Sequence, residues 1–426
     1  MKIFLIILLL GQILMAATIE TLHVKNTKVT IIKEEASRLP LITMQIVFKT
    51  SGSIEDGDKA GLAKLSAKML NEGTLKLGSS KFAEILEAKA IHLSAHAGVE
   101  TFVIELSCLK EHFSEALQRL KELLNQPNLT QETLQRVKTK TIGSLKQKEN
   151  DYDYIANVNL KKILFEDTPL ANPQNGTIES IEKISLDDIK EFLSTHLVLA
   201  RSVVAIGGDL KDIDDKEIVA VLEDLEVGED KKLPFFNASS KEKEFVDYKD
   251  TKQAYIYFGS PFYIDVADKD NYKAKVAIFI LGSGGFGSRL MEEIRVKNGL
   301  AYSAYARLHV NNSNTYLSGY MQTKLQSQQK AIKLTKKVIK DFVTKGATKE
   351  ELEQTKKFIL GSEPLRNETM SQRLNRAFME YYKGYKPGYY KKELKKIENL
   401  SLEKLNKFIK KHKEINKLSI SIVTKK

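Results

Sequence analysis

The sequence contains little cysteine and little histidine. A single cysteine, Cys108, in 426 residues excludes an intrachain disulfide framework and any metal cluster held by several thiolates. A metal site would therefore need histidine and carboxylate ligands, and the chain has seven histidines. Apolar residues make up 42% of the chain, which is typical of a globular protein and not of a disordered one. The length predicts two or three domains of ordinary size.

The longest apolar run stands at the N terminus. Lys2 precedes the apolar residues 3–10, and the small residues Ala16 and Ala17 follow. This order predicts a secretory signal peptide over residues 1–17. A membrane anchor is the alternative, although the run is shorter than the roughly 20 residues that a spanning helix needs. We expect an exported chain, located in a bacterial periplasm, with no stable membrane insertion.

Positive charge is concentrated near the C terminus. The chain has a net charge of +12, and residues 386–426 carry thirteen lysines and four glutamates. Their spacing predicts helices with an apolar stripe and a solvated lysine face. Nucleic-acid binding would favour arginine and interleaved aromatic residues, so we expect no nucleic-acid partner.

Two pairs of segments repeat in the same order. The matching segments are residues 130–138 with 348–356, and residues 181–186 with 397–402. Their offsets, 218 and 216 residues, agree closely and predict an internal duplication. We therefore divide the chain into a half over residues 18–225, a charged linker over 226–245 and a half over 246–426.

Each half mixes predicted strands with predicted helices that do not alternate strictly. This pattern favours an α+β fold over a doubly wound parallel sheet. Residues 282–287 match the dinucleotide-binding pattern G-x-G-x-x-G. That pattern needs a strand before it and an acidic residue about 20 positions after it. Here the preceding segment looks helical and position 307 is arginine. A flexible glycine hinge is therefore the preferred interpretation of this loop.

Two further groups of residues are candidates for chemistry. His92 and His96 are four positions apart and could share a face, although two ligands alone leave a zinc site incomplete without Glu100 or Glu105. Arg295 and Tyr302 flank a turn-like segment, and together they could offer a guanidinium and a phenol to a carbonyl oxygen.

The segment that contains this pair resembles a known family. Residues 288–303, with the glycine loop before them, are similar to the second-half motif of pitrilysin/insulinase-type peptidases, in the mitochondrial-processing-peptidase-like branch. Residues 61–74 are similar to the segment around that family's inverted zinc motif, H-x-x-E-H. The resemblance covers essentially the whole chain after the signal peptide. It implies a clamshell of two homologous α/β-sandwich halves.

The departures from the family pattern indicate lost catalysis. Lys64 and Lys68 stand where the family has its zinc-binding histidines, and Ala67 stands where it has the general-base glutamate. The third ligand position falls near Gly143 and Ser144, and neither residue is a carboxylate. We therefore expect no catalytic residue, no metal and no cofactor on this chain, which cannot run zinc-water hydrolysis alone.

The resemblance nevertheless assigns a binding role to the second half. In the family the Arg/Tyr pair contacts the substrate carbonyl from the half opposite the zinc, and some members divide these parts between two chains. We therefore expect a non-catalytic subunit of a periplasmic heterodimeric peptidase, whose zinc lies on a homologous partner and whose substrates are peptides or unfolded segments. Its predicted substrate-binding residues are Arg295, Tyr302, Gly282, Gly284, Gly285 and Gly287.

Two alternatives stay open at this point. The first is a catalytically inactive peptide-binding or scaffold protein, and retention of Arg295 and Tyr302 argues mildly against it. The second is an active zinc endopeptidase in which His92 and His96 replace the usual ligands.

Overall fold

The computed structural model describes residues 17–426, so residues 1–16 of the predicted signal peptide lie outside the described part. The first half forms a six-stranded sheet with the strand order β1-β2-β6-β3-β5-β4. Its strands are β1 (Thr18–Val24), β2 (Thr27–Glu35), β3 (Leu41–Lys49), β4 (His92–Ala97), β5 (Thr101–Leu109) and β6 (Ser202–Gly208). Its helices are α1 (Leu62–Leu70), α2 (Gly78–Glu87), α3 (Phe113–Asn125), α4 (Gln131–Lys148), α5 (Tyr152–Leu164), α6 (Ile178–Lys183), α7 (Leu186–His196) and α8 (Asp215–Leu222).

The second half forms a five-stranded sheet with the order β7-β11-β8-β10-β9. Its strands are β7 (Glu244–Tyr248), β8 (Gln253–Pro261), β9 (Ala301–Val310), β10 (Thr315–Lys324) and β11 (Ser419–Thr424). Its helices are α9 (Asn271–Ile278), α10 (Gln328–Lys345), α11 (Lys349–Gly361), α12 (Met370–Tyr382), α13 (Tyr389–Glu398) and α14 (Leu402–Lys411).

The two sheets share one topology, which confirms the predicted duplication and the two-half fold. Each has one parallel pair, β2 with β6 in the first sheet and β7 with β11 in the second. Each then continues through three antiparallel pairings, namely β6-β3-β5-β4 and β11-β8-β10-β9. The first sheet adds the edge strand β1.

Helices cover one face of each sheet with side chains from the same half. In the first half the core joins strand residues such as Ile46 to helix residues such as Leu65 and Phe192. Cys108 belongs to this core, and burial raises the pKa of its thiol to about 11, as expected for an inert buried cysteine. In the second half, α14 buries Leu405 while its lysines lie exposed, which agrees with the predicted solvated face.

The opposite face of each sheet is covered by a helix from the other half. Helix α12 packs against β2 and β6, where Leu374 and Phe378 meet Val47 and Val203 of the first sheet. Helix α5 packs against β8 and β11, and its Leu160 lies in a cluster with side chains of the second half. The halves therefore exchange one helix each, and we call the two faces covered in this way the inner faces.

Two glycines let the exchanged helices approach the sheets closely. A Cβ atom on Gly207 in β6 would stand 2.4 Å from the sulfur of Met370 in α12. A Cβ atom on Gly259 in β8 would stand 2.7 Å from Leu164 in α5. Any larger residue at either position would push the exchanged helix away from its sheet.

Polar contacts also join the halves. Glu100 accepts hydrogen bonds from the backbone N–H and the hydroxyl of Ser313, at 2.7 and 2.6 Å, and from the Tyr382 hydroxyl at 2.8 Å. Arg373 in α12 donates from Nε to buried Glu34 in β2 at 2.5 Å. These charge-assisted bonds fix the orientation of the halves that the apolar exchange brings together.

The segment between α8 and β7 contains most of the predicted linker. Residues 223–243, all described, contain no helix or strand. The segment is bound to both halves, because the backbone of Lys231 accepts from Thr50 and the backbone of Phe236 donates to Ser313. Among residues 17–426, no helix has the length and apolarity needed to cross a bilayer.

We predict that the exchanged helix α12 is needed for the stability of the first half. Replacing buried Phe378 with alanine removes an aromatic ring from the inner face of the first sheet and should lower the free energy of unfolding by about 3–5 kcal/mol. Chemical denaturation would measure the loss. Leu365→Ala is the control, because Leu365 is 67% exposed and its removal should change stability little. Equal effects of the two substitutions would contradict the helix exchange.

Candidate substrate-binding site

Helix α1 carries the positions that correspond to the zinc motif. The helix begins after Gly61, and the Asp56 carboxylate accepts from the backbone N–H groups of Gly61 and Ala63, both at 2.8 Å. Leu65 and Met69 bury one face of the helix in the core of the first half. Because residues four apart share a helix face, Lys64 and Lys68 stand together on another face.

The two lysines of α1 contact neutral partners. Lys64 Nζ donates to Asn175 Oδ1 at 3.0 Å, and Lys68 Nζ donates to Thr141 Oγ1 in α4 at 2.9 Å. Between them, Ala67 is buried and offers no side-chain base. The motif positions therefore hold two ammonium groups and a methyl group, which cannot coordinate a cation.

Two more lysines approach this position from neighbouring helices. Partial burial lowers the pKa of Lys64, and the positive charges of Lys148 in α4, Lys68 and Lys161 in α5 lower it further. Partial burial and the charge of Lys148 also lower the pKa of Lys68. Burial lowers the pKa of Lys161. We call Lys64, Lys68, Lys148 and Lys161 the lysine cluster.

Helix α4 turns a different residue toward α1 than the sequence suggested. The third zinc ligand was expected near Gly143 and Ser144, and both of these residues are exposed. The buried side chain that reaches α1 is Thr141, whose hydroxyl contacts Lys68. None of these three residues is a carboxylate, and among residues 17–426 no three histidine, cysteine, aspartate or glutamate side chains converge as a metal site.

The glycine loop differs from the flexible hinge that we expected. Helix α9 ends at Ile278 and continues as a π-helical segment, Phe279–Ser283. A Cβ atom on Gly282 would lie 2.4 Å from the backbone nitrogen of Ala306, and one on Gly284 would lie 2.8 Å from the backbone oxygen of Phe279. Gly282 therefore allows close packing of the loop against β9, and Gly284 allows close packing on Phe279, so a flexible hinge does not describe this part of the loop.

The second part of the loop turns outward. Gly285 and Gly287 have left-handed φ angles of 67° and 93°, and the residue between them, Phe286, is 71% exposed. Ser288 closes this turn by donating its hydroxyl to the Gly285 carbonyl at 2.8 Å. A glycine at each flanking position avoids the strain that a side chain would cause at these angles.

Arg295 lies between two exposed aromatic rings. Its guanidinium carbon is 4.5 Å from the ring centre of Tyr302 and 4.7 Å from that of Phe286. Arg295 lies in a second π-helical segment, Met291–Lys297, and Tyr302, which is 79% exposed, is the second residue of β9. The structure thus brings the predicted pair together. The stacking leaves the guanidinium N–H groups and the phenol available to an incoming oxygen acceptor.

Arg289 connects the chain just before the Arg295 segment to α11. Its guanidinium donates to both carboxylate oxygens of Glu351 in α11, at 2.6 and 2.7 Å, and to the carbonyl of Gly346. Bidentate pairing of this kind fixes geometry as well as charge. Among residues 17–426, no hydrogen bond or ion pair joins the Arg295–Tyr302 pair to the lysine cluster.

His92 and His96 do not form a replacement zinc site. Both lie on the edge strand β4, where residues four apart are separated by about 13 Å. Two ligands of one zinc ion must both lie within about 2 Å of it. The candidate acids are engaged elsewhere, Glu100 with Ser313 and Glu105 with Gln45. The alternative of an active enzyme with these ligands is therefore wrong on geometric grounds.

Several site residues were not anticipated from the sequence. Phe286, Thr141, Lys148 and Lys161 enter the site through tertiary packing. Phe286 lies within the glycine loop that the sequence indicated, between Gly285 and Gly287. The other three had no signal in the sequence, because the approach of α4 and α5 to α1 is not encoded in local spacing.

Comparisons with known families and proteins found similarity along the chain. Residues 12–178 match the family described as "Insulinase (Peptidase family M16)", and residues 183–359 match the "Peptidase M16 inactive domain". The chain is 48% identical to a Helicobacter pylori protein named "Non-peptidase homolog YmxG", over 100% of this chain and 99% of that protein.

Two more distant similarities extend over most of the chain. A Bacillus subtilis protein named "Uncharacterized zinc protease YmxG" is 22% identical, over 82% of this chain and 84% of that protein. A crystal structure of a peptidase M16 inactive domain from Pseudomonas fluorescens superimposes with a TM-score of 0.87 and 23% identity, covering 96% of this chain and 98% of the other. This last likeness shows a shared fold.

We predict that Thr141 marks the position from which a third zinc ligand must come. A variant with Lys64→His, Ala67→Glu, Lys68→His and Thr141→Glu should bind about one zinc ion per chain, because it supplies three ligands to one point and leaves the fourth to water. Metal analysis after dialysis would measure the stoichiometry. The matched variant carries Ser144→Glu in place of Thr141→Glu and should retain much less zinc. Equal retention by both variants would contradict the orientation of α4.

Proposed function

Since the chain belongs to peptidase family M16, the insulinase family, and is a non-peptidase homologue within it, we propose that it is the substrate-binding subunit of a zinc-dependent heterodimeric peptidase. The observation that carries the proposal is a contrast between the halves. The zinc-motif positions hold Lys64, Ala67 and Lys68, whereas Arg295 and Tyr302 are stacked together and exposed. In this proposal the partner chain holds the zinc, and this chain supplies the second set of contacts.

The proposed role of the pair follows from its chemistry. A peptide carbonyl develops negative charge on its oxygen during hydrolysis, and donors fixed near that oxygen stabilise the charge. Arg295 provides a permanent cation, and Tyr302 provides a neutral hydroxyl donor at the same edge of the second sheet. Phe286 and Tyr302 hold the guanidinium between them, so little conformational freedom is lost when it meets an acceptor.

The proposed substrates are peptides or unfolded segments. Beside α5, the inner face of the second sheet carries the half-buried Tyr257 and Tyr305, which pack on the buried Tyr320 with ring centres 4.9 and 5.4 Å apart. Tyrosine rings provide large contact areas with two rotatable bonds each, which suits the binding of varied chains.

We predict that the complex of this chain with a homologue containing an intact H-x-x-E-H motif cleaves an unstructured peptide. Arg295→Ala should lower kcat/KM of the complex about 100-fold, the usual cost of losing one oxyanion donor, and Tyr302→Phe should also lower it. Arg38→Ala and Tyr248→Phe are matched controls at exposed positions. Unchanged activity in both test variants would refute the role of the pair. Chelator-sensitive cleavage by this chain alone would refute the subunit assignment.

The proposed location is the periplasm. The support is the predicted signal peptide over residues 1–17, which apart from Ala17 lies outside the described residues. In a Gram-negative host, the full-length chain should be recovered from the periplasmic fraction with its N terminus near Ala17 or Thr18, as measured by mass spectrometry. Recovery in the cytoplasm with Met1 or Lys2 at the N terminus would contradict export.

A further inference from the structure

We propose that the lysine cluster binds a carboxylate of an acidic peptide held between the two halves. The inference rests on the proposed peptide-binding function, and it adds a preference for negative charge in the substrate. Lys64 and Lys68 of α1 stand where the family's zinc motif lies, and Lys148 of α4 and Lys161 of α5 are near enough for their charges to act on Lys64. The contacts of Lys64, Lys68 and Lys148 are with groups that carry no negative charge.

Like charges rarely gather in a protein without a counter-ion. Lys64 bonds to the Asn175 amide, Lys68 bonds to the Thr141 hydroxyl, and Lys148 lies 4.2 Å from the ring centre of Tyr154. Among residues 17–426, no lysine of the cluster forms an ion pair with a carboxylate. Asp56 raises the pKa of Lys64, but its effect is smaller than those of burial and of the three other lysines. An incoming anion would relieve the repulsion that this arrangement maintains.

The cluster is accessible and lies where the halves meet. Lys68 is exposed, and Lys64, Lys148 and Lys161 are half-buried. Lys161 also lines a cavity of about 60 Å³ between the halves, together with Val99 of the first half and neutral polar or aromatic side chains of the second half. The cavity therefore has a cation at its wall, and the second half contributes Asn311, Asn314 and Tyr316 to its lining.

The second half adds aromatic surface beside the cavity. His309 stacks on Tyr316 with ring centres 4.4 Å apart, and burial together with the charges of Lys161 and Arg307 lowers the pKa of His309 to about 4. Lys161 thus acts on Lys64 in one half and on His309 in the other. A peptide can use both the cations and the nearby tyrosines, whereas inorganic phosphate uses the cations alone.

The test compares two peptides that differ in charge. The probes are a fluorescein-labelled, C-terminally amidated 12-residue peptide with one central glutamate and the same peptide with glutamine. The full chain should bind the glutamate peptide about tenfold more tightly than the glutamine peptide, because the glutamate gains about one charge-assisted hydrogen bond. Salt should reduce this difference in affinity. The variant Lys64→Gln/Lys148→Gln should bind both peptides with the affinity of the glutamine peptide. A third probe, the glutamine peptide with a free C terminus, shows whether a terminal carboxylate serves equally.

A matched variant distinguishes the effect of the lysine cluster from the effect of the chain's net charge. Lys146→Gln/Lys162→Gln removes the same charge from exposed positions of α4 and α5 and should keep the tenfold preference. Equal affinity of the unaltered chain for the glutamate and glutamine peptides would overturn the proposal. Loss of the preference in the matched variant, or its survival in Lys64→Gln/Lys148→Gln, would also overturn it. Failure to bind either peptide would instead contradict the proposed peptide-binding function.

Discussion

The exchange of one helix between the halves is the constraint on which the rest of the structure depends. Helices of its own half cover one face of each sheet. The other face is closed by α12 or α5 from the opposite half, so neither half is complete alone. Because α5 packs on the second sheet while it carries Lys161, the same exchange brings a cation of the first half to the cavity between the halves.

The duplication could be predicted from the sequence because the repeated segments include helix starts. Thr130 and Thr348 cap α4 and α11, and Ser185 and Ser401 cap α7 and α14, each accepting a backbone N–H at the start of its helix. Capping requires a short side chain with an oxygen acceptor at a fixed place, so these positions keep a recognisable pattern. The helix exchange could not be predicted in this way, because an apolar stripe does not specify which of two similar sheets it will cover.

The candidate site was predictable where it lies within one element and unpredictable where it depends on packing. The pairing of Lys64 with Lys68 follows from helical spacing alone, and the nearness of Arg295 and Tyr302 was implied by the family resemblance. Lys148 and Lys161 joined the cluster only through the contacts of their helices with neighbouring elements. The proposed zinc site at His92 and His96 was wrong because of the element type. Two residues four apart can bind one metal ion from a helix, but on a strand they stand too far apart.

The lysine cluster and the zinc motif that it replaces have one physical property in common. In the peptidases that this chain resembles, two histidines hold a divalent cation at these positions, and here Lys64 and Lys68 place positive charge on the same helix. A lysine ammonium attracts an oxygen acceptor, but it has no vacant coordination position and cannot lower the pKa of water as bound zinc does. Replacing the two histidines with lysines therefore removes hydrolysis and preserves the attraction for electron-rich groups. In the proposed function, substrate binding persists in a chain that has lost the chemistry.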